Sequence, residues 1–106
     1  AYCWGSGDRG ELGDGARVSR PTPARVALTA PARVVAAGLA HACALTTAGA
    51  VLCWGANDAG QLGDGTTRDR ATPVAVGGLR AAALALGFRH GCALDAEGAA
   101  WCWGAN

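Results

Sequence analysis

The tripeptide Cys-Trp-Gly occurs three times in this chain, at residues 3–5, 53–55 and 102–104, in steps of 50 and 49 residues. A chain that returns to the same motif on such a period folds as an array of similar units, so the unit sets the architecture. The flanks return in the same register. HACALTTAGAVLCWG (41–55) precedes the second copy and HGCALDAEGAAWCWG (90–104) the third. GSGDRGELGDGARVSRPTP (5–23) follows the first copy and GANDAGQLGDGTTRDRATP (55–73) the second. The agreement falls on glycines, a proline and a loop aspartate, where backbone geometry restricts the choice of residue. Residues 1–5 read as the end of a preceding repeat, 6–55 as one repeat, and 56–106 as a second with a terminal overlap.

Each period reads as several short strands. Ala24–Leu28 and Val74–Val76 follow the Thr-Pro pairs, Arg33–Ala37 and Ala82–Leu86 come next, and the pairs Ala42–Thr46 with Ala50–Trp54 and Gly91–Asp95 with Ala99–Trp103 close the unit. Four short strands per period with glycine and proline punctuation is the pattern of a propeller blade. No 3.6-residue apolar stripe persists for ten residues, so helix is not expected. The alanine-rich stretch Arg80–Leu86 favours helix by propensity, but it aligns with Arg33–Ala37 and is read as strand. The fold class is therefore all-β.

The last hairpin of each unit fixes its own register. Its loops, Thr47-Ala48-Gly49 and Ala96-Glu97-Gly98, have glycine third, the mark of a bulged three-residue turn. Zipping the strands from there sets Cys43 opposite Cys53 and Cys92 opposite Cys102. Both are non-hydrogen-bonded sites with α-carbons ~4.5 Å apart, at the near edge of what a disulfide accepts. Two disulfides are the expectation. The rivals are buried thiols, or a metal site of His41, Cys43 and Cys53 repeated by His90, Cys92 and Cys102; a structural zinc site wants four ligands. No metal or cofactor is expected. Disulfides place the mature protein in an oxidising compartment, extracellular or periplasmic. Cys3 has no counterpart ten residues upstream and is expected to be unpaired. The chain thus reads as an excerpt of a longer array, or as one copy of an assembly that supplies the missing partner.

Repeat units bury their apolar faces against neighbours, and two blades do not close a ring, so an oligomer or a fragment of a longer array is expected. The net charge is +1, carried by nine arginines against eight acids, with no lysine. The arginines are scattered, many beside acids, whereas a nucleic-acid surface shows a dense basic stripe; no nucleic-acid partner is expected. No membrane-spanning run is present. Arg17, Arg20, Arg68 and Arg70 occupy equivalent loops and form a candidate rim.

CWGANDAGQLGDGTTRDRATPV followed by GFRHGCALDAEGAAWCWGAN resembles the regulator of chromosome condensation repeat. Trp-Gly-x-Asn, Gly-Gln-Leu-Gly-Asp-Gly, the Thr-Pro step and His-x-x-x-Leu stand in order at the family's spacing over essentially the whole chain. The first copy departs with Ser6-Gly7 for Ala56-Asn57 and Glu11 for Gln61. The resemblance implies a seven-bladed β-propeller of four-stranded antiparallel blades, with sequence repeats offset from the blades. The cysteine beside each tryptophan resembles an exported bacterial variant. Members act as exchange factors for a Ran-type GTPase, as chromatin-bound platforms, or as secreted β-lactamase inhibitors; the shared element is a protein-binding face of loops.

Trp4, Trp54 and Trp103 are expected as anchors between blades, an indole burying ~150–250 Å². Trp101, the counterpart of Leu52, is expected to face away from Cys102 and Trp103. His41 and His90 lack a repeated nucleophile or carboxylate partner and are expected as buried imidazoles bonded to loop backbone. The loops Asp8–Gly15 and Asp58–Gly65 resemble calcium loops only in composition, since calcium wants six or more oxygens, and are read as turns. No phosphate loop or nucleophile elbow is present. The expectation is a non-enzymatic, exported module that binds a protein through its loops, with Asp8, Arg9, Arg17, Arg20, Asp58, Arg68 and Arg70 as contacts. A self-assembling unit whose open blade edges pair between chains is the alternative, and an exchange factor a weaker one.

Overall fold

A computed structural model of the chain describes residues 1–105. Nine strands form three antiparallel sheets, and no helix occurs among the described residues. β1 (Tyr2–Gly5) pairs with β2 (Arg20–Arg25) in the first sheet. The second sheet runs in the order β3 (Ala32–Ala37), β4 (His41–Thr46), β5 (Ala50–Gly55), β6 (Arg70–Arg80). The third runs β7 (Ala83–Leu86), β8 (His90–Leu94), β9 (Ala100–Gly104). The middle sheet is one whole four-stranded blade. Its fourth strand comes from beyond the second Cys-Trp-Gly, so the blade is offset from the sequence repeat. The described residues close no ring.

The hairpins zip in the register expected from their turns. Leu45 faces Val51, Cys43 faces Cys53, and in the third sheet Cys92 faces Cys102. Gly49 and Gly98 take φ of 89° and 84°, the left-handed conformation that such a turn demands and that side chains disfavour. The outer strands depart from expectation. β2 and β6 begin at Arg20 and Arg70, before the Thr-Pro pairs, and β2 ends at Arg25 rather than Leu28. Proline lacks an N–H donor and is tolerated on an edge strand or at a bulge. Both conditions hold here: β2 and β6 are edge strands, and the register slips between Cys3 and Gly5 and again between Cys53 and Gly55, opposite the prolines.

Alternation along β4 divides the core in two. Ala42 and Ala44 face the first sheet and join Val26 and Trp54. Cys43 and Leu45 face the third sheet and join Val51, Cys53, Leu62, Val76 and Ala93. Both faces of the middle blade are therefore dry, and β4 is buried along its whole length. This is the mutual burial that makes stacked repeats depend on their neighbours.

Candidate interaction face

Loops 6–19, 38–40, 56–69 and 87–89 gather at one end of the sheets. Backbone bonds tie them: Ala56 N–H donates to Ala40, Ala105 to Arg89, and Leu39 to Phe88, at 2.8, 2.8 and 3.0 Å. The hairpin turns lie at the other end, where Thr47 N–H donates to Pro31 and Ala81 to Gly49.

The long loops are shaped from within. Trp54 is fully buried and donates its Nε1–H to the Glu11 carbonyl at 3.0 Å; Trp103 does the same to Gln61 at 2.9 Å. Each indole thus pins the loop of the preceding sheet. It lies so close to the loop that a Cβ on Gly13 would come within 2.7 Å of Trp54. Trp4, expected to anchor in the same way, is 62% exposed, because no loop packs on it among the described residues. Trp101 is also placed differently from expectation. Side chains two apart share a face of a strand, so Trp101 and Trp103 border the same groove beside Val76 and Leu79. Trp101 Nε1–H donates to Asp95 at 3.0 Å.

Asn57, wholly buried, is the hub of the second loop. Its Oδ1 accepts from Leu62 N–H at 2.9 Å, its Nδ2 donates to Asp64 and Thr66, and its own N–H donates to Asp69 at 2.9 Å. The first loop has Gly7 there, whose N–H donates to Ser19 instead; the loop has closed onto the glycine, and a Cβ there would strike the Val18 carbonyl. Gln61 Oε1 accepts from Ala59 N–H as Glu11 Oε1 accepts from Arg9 N–H.

Most of the charged residues expected to meet a partner are engaged within the chain. Arg20 pairs with Asp14 at 2.6 Å and Arg70 with Asp64 at 3.1 Å. Arg9 bridges to the next loop, to Asp69 at 3.1 Å and Asp58 at 3.3 Å, and Arg17 reaches Asp69 at 3.9 Å. Asp58 also takes Arg89, whose hydrogen bond is the chief cause holding its carboxyl down to about 2. Asp14 is held low by Arg20, and Asp64 is low despite its burial because Thr66, Asn57 and Arg70 bond to it. Asp8 accepts from Ser6 at 3.1 Å. Arg68 alone of the seven has no side-chain hydrogen bond or ion pair among the described residues. The rim is thus an ionic lattice that fixes the loops.

His41 and His90 lie differently from one another and from expectation. His41 is buried, but neither ring nitrogen has a hydrogen-bond partner; its own main chain occupies the neighbouring donors, Gly38 N–H donating to the His41 carbonyl. His90 repeats that backbone bond with Gly87 but is exposed. The Sγ atoms of Cys43 and Cys53, and of Cys92 and Cys102, lie at disulfide distance, with α-carbons 4.0 and 4.1 Å apart. Cys3 is half-buried and has no such partner; burial raises its pKa.

Two residues that sequence reasoning passed over stand out on this face. Leu39 and Phe88 are 68% and 76% exposed and sit at equivalent turns joined by the Leu39–Phe88 backbone bond. Beside them is a recess of about 300 Å³ lined by Arg9, Ala56, Asp58 and Arg89. The signal was present in the repeat: each is an apolar residue directly after the aligned Gly38 or Gly87.

The chain matches family models described as the regulator of chromosome condensation (RCC1) repeat, one over residues 1–45 and 48–94 and a second over 33–61. The chain belongs to this repeat family. Solved structures agree on the fold. Prp20p from Saccharomyces cerevisiae, described with its binding to Gsp1p and histones, superposes with a TM-score of 0.79 at 24% identity over 97% of this chain and 28% of that one. Human WBSCR16 gives 0.84 at 22%, over 97% and 28%. Yeast RCC1 (Prp20) bound to Kap60 gives 0.74 at 22%, over 97% and 27%. The chain therefore spans little more than a quarter of each of these β-propellers. Among curated proteins, none matches the chain by sequence at a significant level.

Proposed function

We propose that this chain is a protein-binding section of an exported RCC1-type β-propeller, acting without catalysis through the loop face. The observation that carries the reading is the Leu39–Phe88 pair. Two large apolar side chains project from turns fixed by backbone bonds, and beside them lies the Arg9–Asp58–Arg89 ion-pair cluster. An apolar centre within a polar rim is the usual anatomy of a protein–protein contact. Prp20p, with its binding to Gsp1p and histones, and yeast RCC1 in its complex with Kap60 show the fold used for binding proteins. Export is supported by the two cysteine pairs at disulfide distance, since such bonds persist in oxidising compartments.

The test is site-directed photocrosslinking in the extracellular or periplasmic fraction of the producing cell. A crosslinker at residue 88 should capture a defined protein, a crosslinker at Ala48 on the opposite end should not, and capture should disappear with Leu39→Ser. Equal capture from both ends would overturn the reading.

A further inference from the structure

His41 sits where the β3–β4 turn meets the β7–β8 turn. The imidazole is 1% exposed, and both nitrogens lack partners. A Cβ built on Gly38 would run into both its Cε1 and the Gly87 carbonyl. The ring, Gly38 and Gly87 therefore share one tight slot between blades. The Leu39 N–H to Phe88 bond lies one residue along from each glycine. What fills the slot thus bears directly on how the two apolar side chains are held together.

No side chain offers a partner to a positive charge there; only the His90 main chain favours it. Titratable and charged groups near the slot are His90 at the start of β8, Arg89 in the β7–β8 turn with Arg9 and Asp58, which pair with one another and with it, and Glu11, Cys3 and Tyr2, which border the groove that His41 also lines. None reaches the imidazole with a hydrogen bond. Glu11 is occupied by Arg9 N–H and Ser6, and Arg33 on β3 is turned to the Ala82 carbonyl at the opposite end. Burying an unpaired cation is costly, so a protonated His41 favours leaving the slot.

We propose that His41 is an acid-sensitive pin: neutral, it holds the Leu39 and Phe88 turns together; protonated, it leaves the slot and lets them separate. Burial lowers its pKa below the ordinary histidine value, reinforced by the charge of His90 and partly offset by the His90 main chain. The sign follows. A histidine whose folded pKa lies below its unfolded value contributes fully above about pH 6.5, and the contribution falls as pH drops below that. Opening of the slot, which requires no partner, therefore belongs to mildly acidic conditions. Its consequence, release of a bound protein in acid, rests on the loop-face reading.

The test is amide hydrogen exchange at Leu39 in the wild-type chain between pH 7.5 and 5, normalised to intrinsic rates, alongside ¹⁵N titration of the imidazoles. Protection of Leu39 should fall by up to about tenfold per pH unit below ~6.5, and His41 should titrate below the ordinary range. His41→Leu, which leaves an apolar side chain that does not titrate, should make protection insensitive to pH. Wild-type protection independent of pH, or His41 titrating in the ordinary range, would overturn the proposal whether or not the variant folds. So would an undiminished acid response in His41→Leu. None of these readouts involves a partner, so a failed crosslink at residue 88 and a failed acid response are separate results.

Discussion

Trp54→Phe tests the principle on which the stacked blades rest, that an indole from one sheet pins the loop of the sheet before it. Trp54 is fully buried, lies against Gly13, and donates to the Glu11 carbonyl at 3.0 Å. Phenylalanine keeps an aromatic ring but removes the donor and roughly a third of the ~150–250 Å² an indole buries. At ~25 cal/mol per Å² the lost area is worth about 1–2 kcal/mol. The carbonyl left without its donor adds about 1 kcal/mol. The total, about 2–3 kcal/mol, corresponds to a fall in Tm of roughly 10–20 °C for a domain of this size. The internal control is Trp4→Phe. Trp4 occupies the same repeat position but is 62% exposed, and an exposed substitution changes stability by no more than about 0.5 kcal/mol. Urea unfolding followed by far-UV circular dichroism gives both values without relying on the indoles. Equal midpoints for the two variants would refute the reasoning, because repeat position alone, and not the contact with the preceding loop, would then set the role of the tryptophan.

Three further outcomes follow from the same geometry. Under denaturing conditions without reductant, the intact mass should be four hydrogens lighter than that of the reduced chain, one disulfide at each of the two cysteine pairs; reduction should cost ~2–3 kcal/mol per bond on the loop-entropy account, and full alkylation without reductant would refute it. Asn57→Ala removes the acceptor of the Leu62 amide and should destabilise by about 2–4 kcal/mol, with hydrogen-exchange protection lost first at Leu62; unchanged protection there would show that the loop holds without its hub. Asp58 should titrate near 2. Because its folded pKa is depressed, the Arg9–Asp58–Arg89 bridge contributes fully above about pH 4 and fades as pH falls toward 2. Arg89→Gln should return the carboxyl toward its ordinary range, and a midpoint indifferent to that substitution would remove Arg89 as the cause.

The repeat made the blade legible because the constraints that define it are local. A three-residue turn ending in Gly49 fixes the register of its own hairpin, and that register sets Cys43 opposite Cys53 without reference to anything distant. The outer strands were read less well. The Thr-Pro pairs suggested a boundary, yet β2 and β6 run through them, because whether a proline breaks a strand depends on whether its N side faces a partner. That is a property of the sheet and not of the segment.

The candidate face shows the same division. Alignment of the two repeats locates the charged loops, and nothing in the alignment shows which of their charges are free for a partner. The fold assigns most of those charges to one another: Arg9 reaches Asp58 and Asp69 in the next loop, 49 and 60 residues along the chain, a pairing that only the stacking of blades creates. The same stacking brings Leu39 to Phe88 and leaves both exposed.

By itself the sequence determined the strand-rich unit, its period, its hairpin registers and its family, since each follows from steric and hydrogen-bonding rules acting over a few residues. Tertiary structure alone decided which tryptophan is buried, which arginine is already paired, which apolar turn residue projects, and that His41 lies in a slot with no partner. Those outcomes depend on what the neighbouring blade presents across the gap, and burial and pairing across a gap leave no mark on the residues' own local pattern.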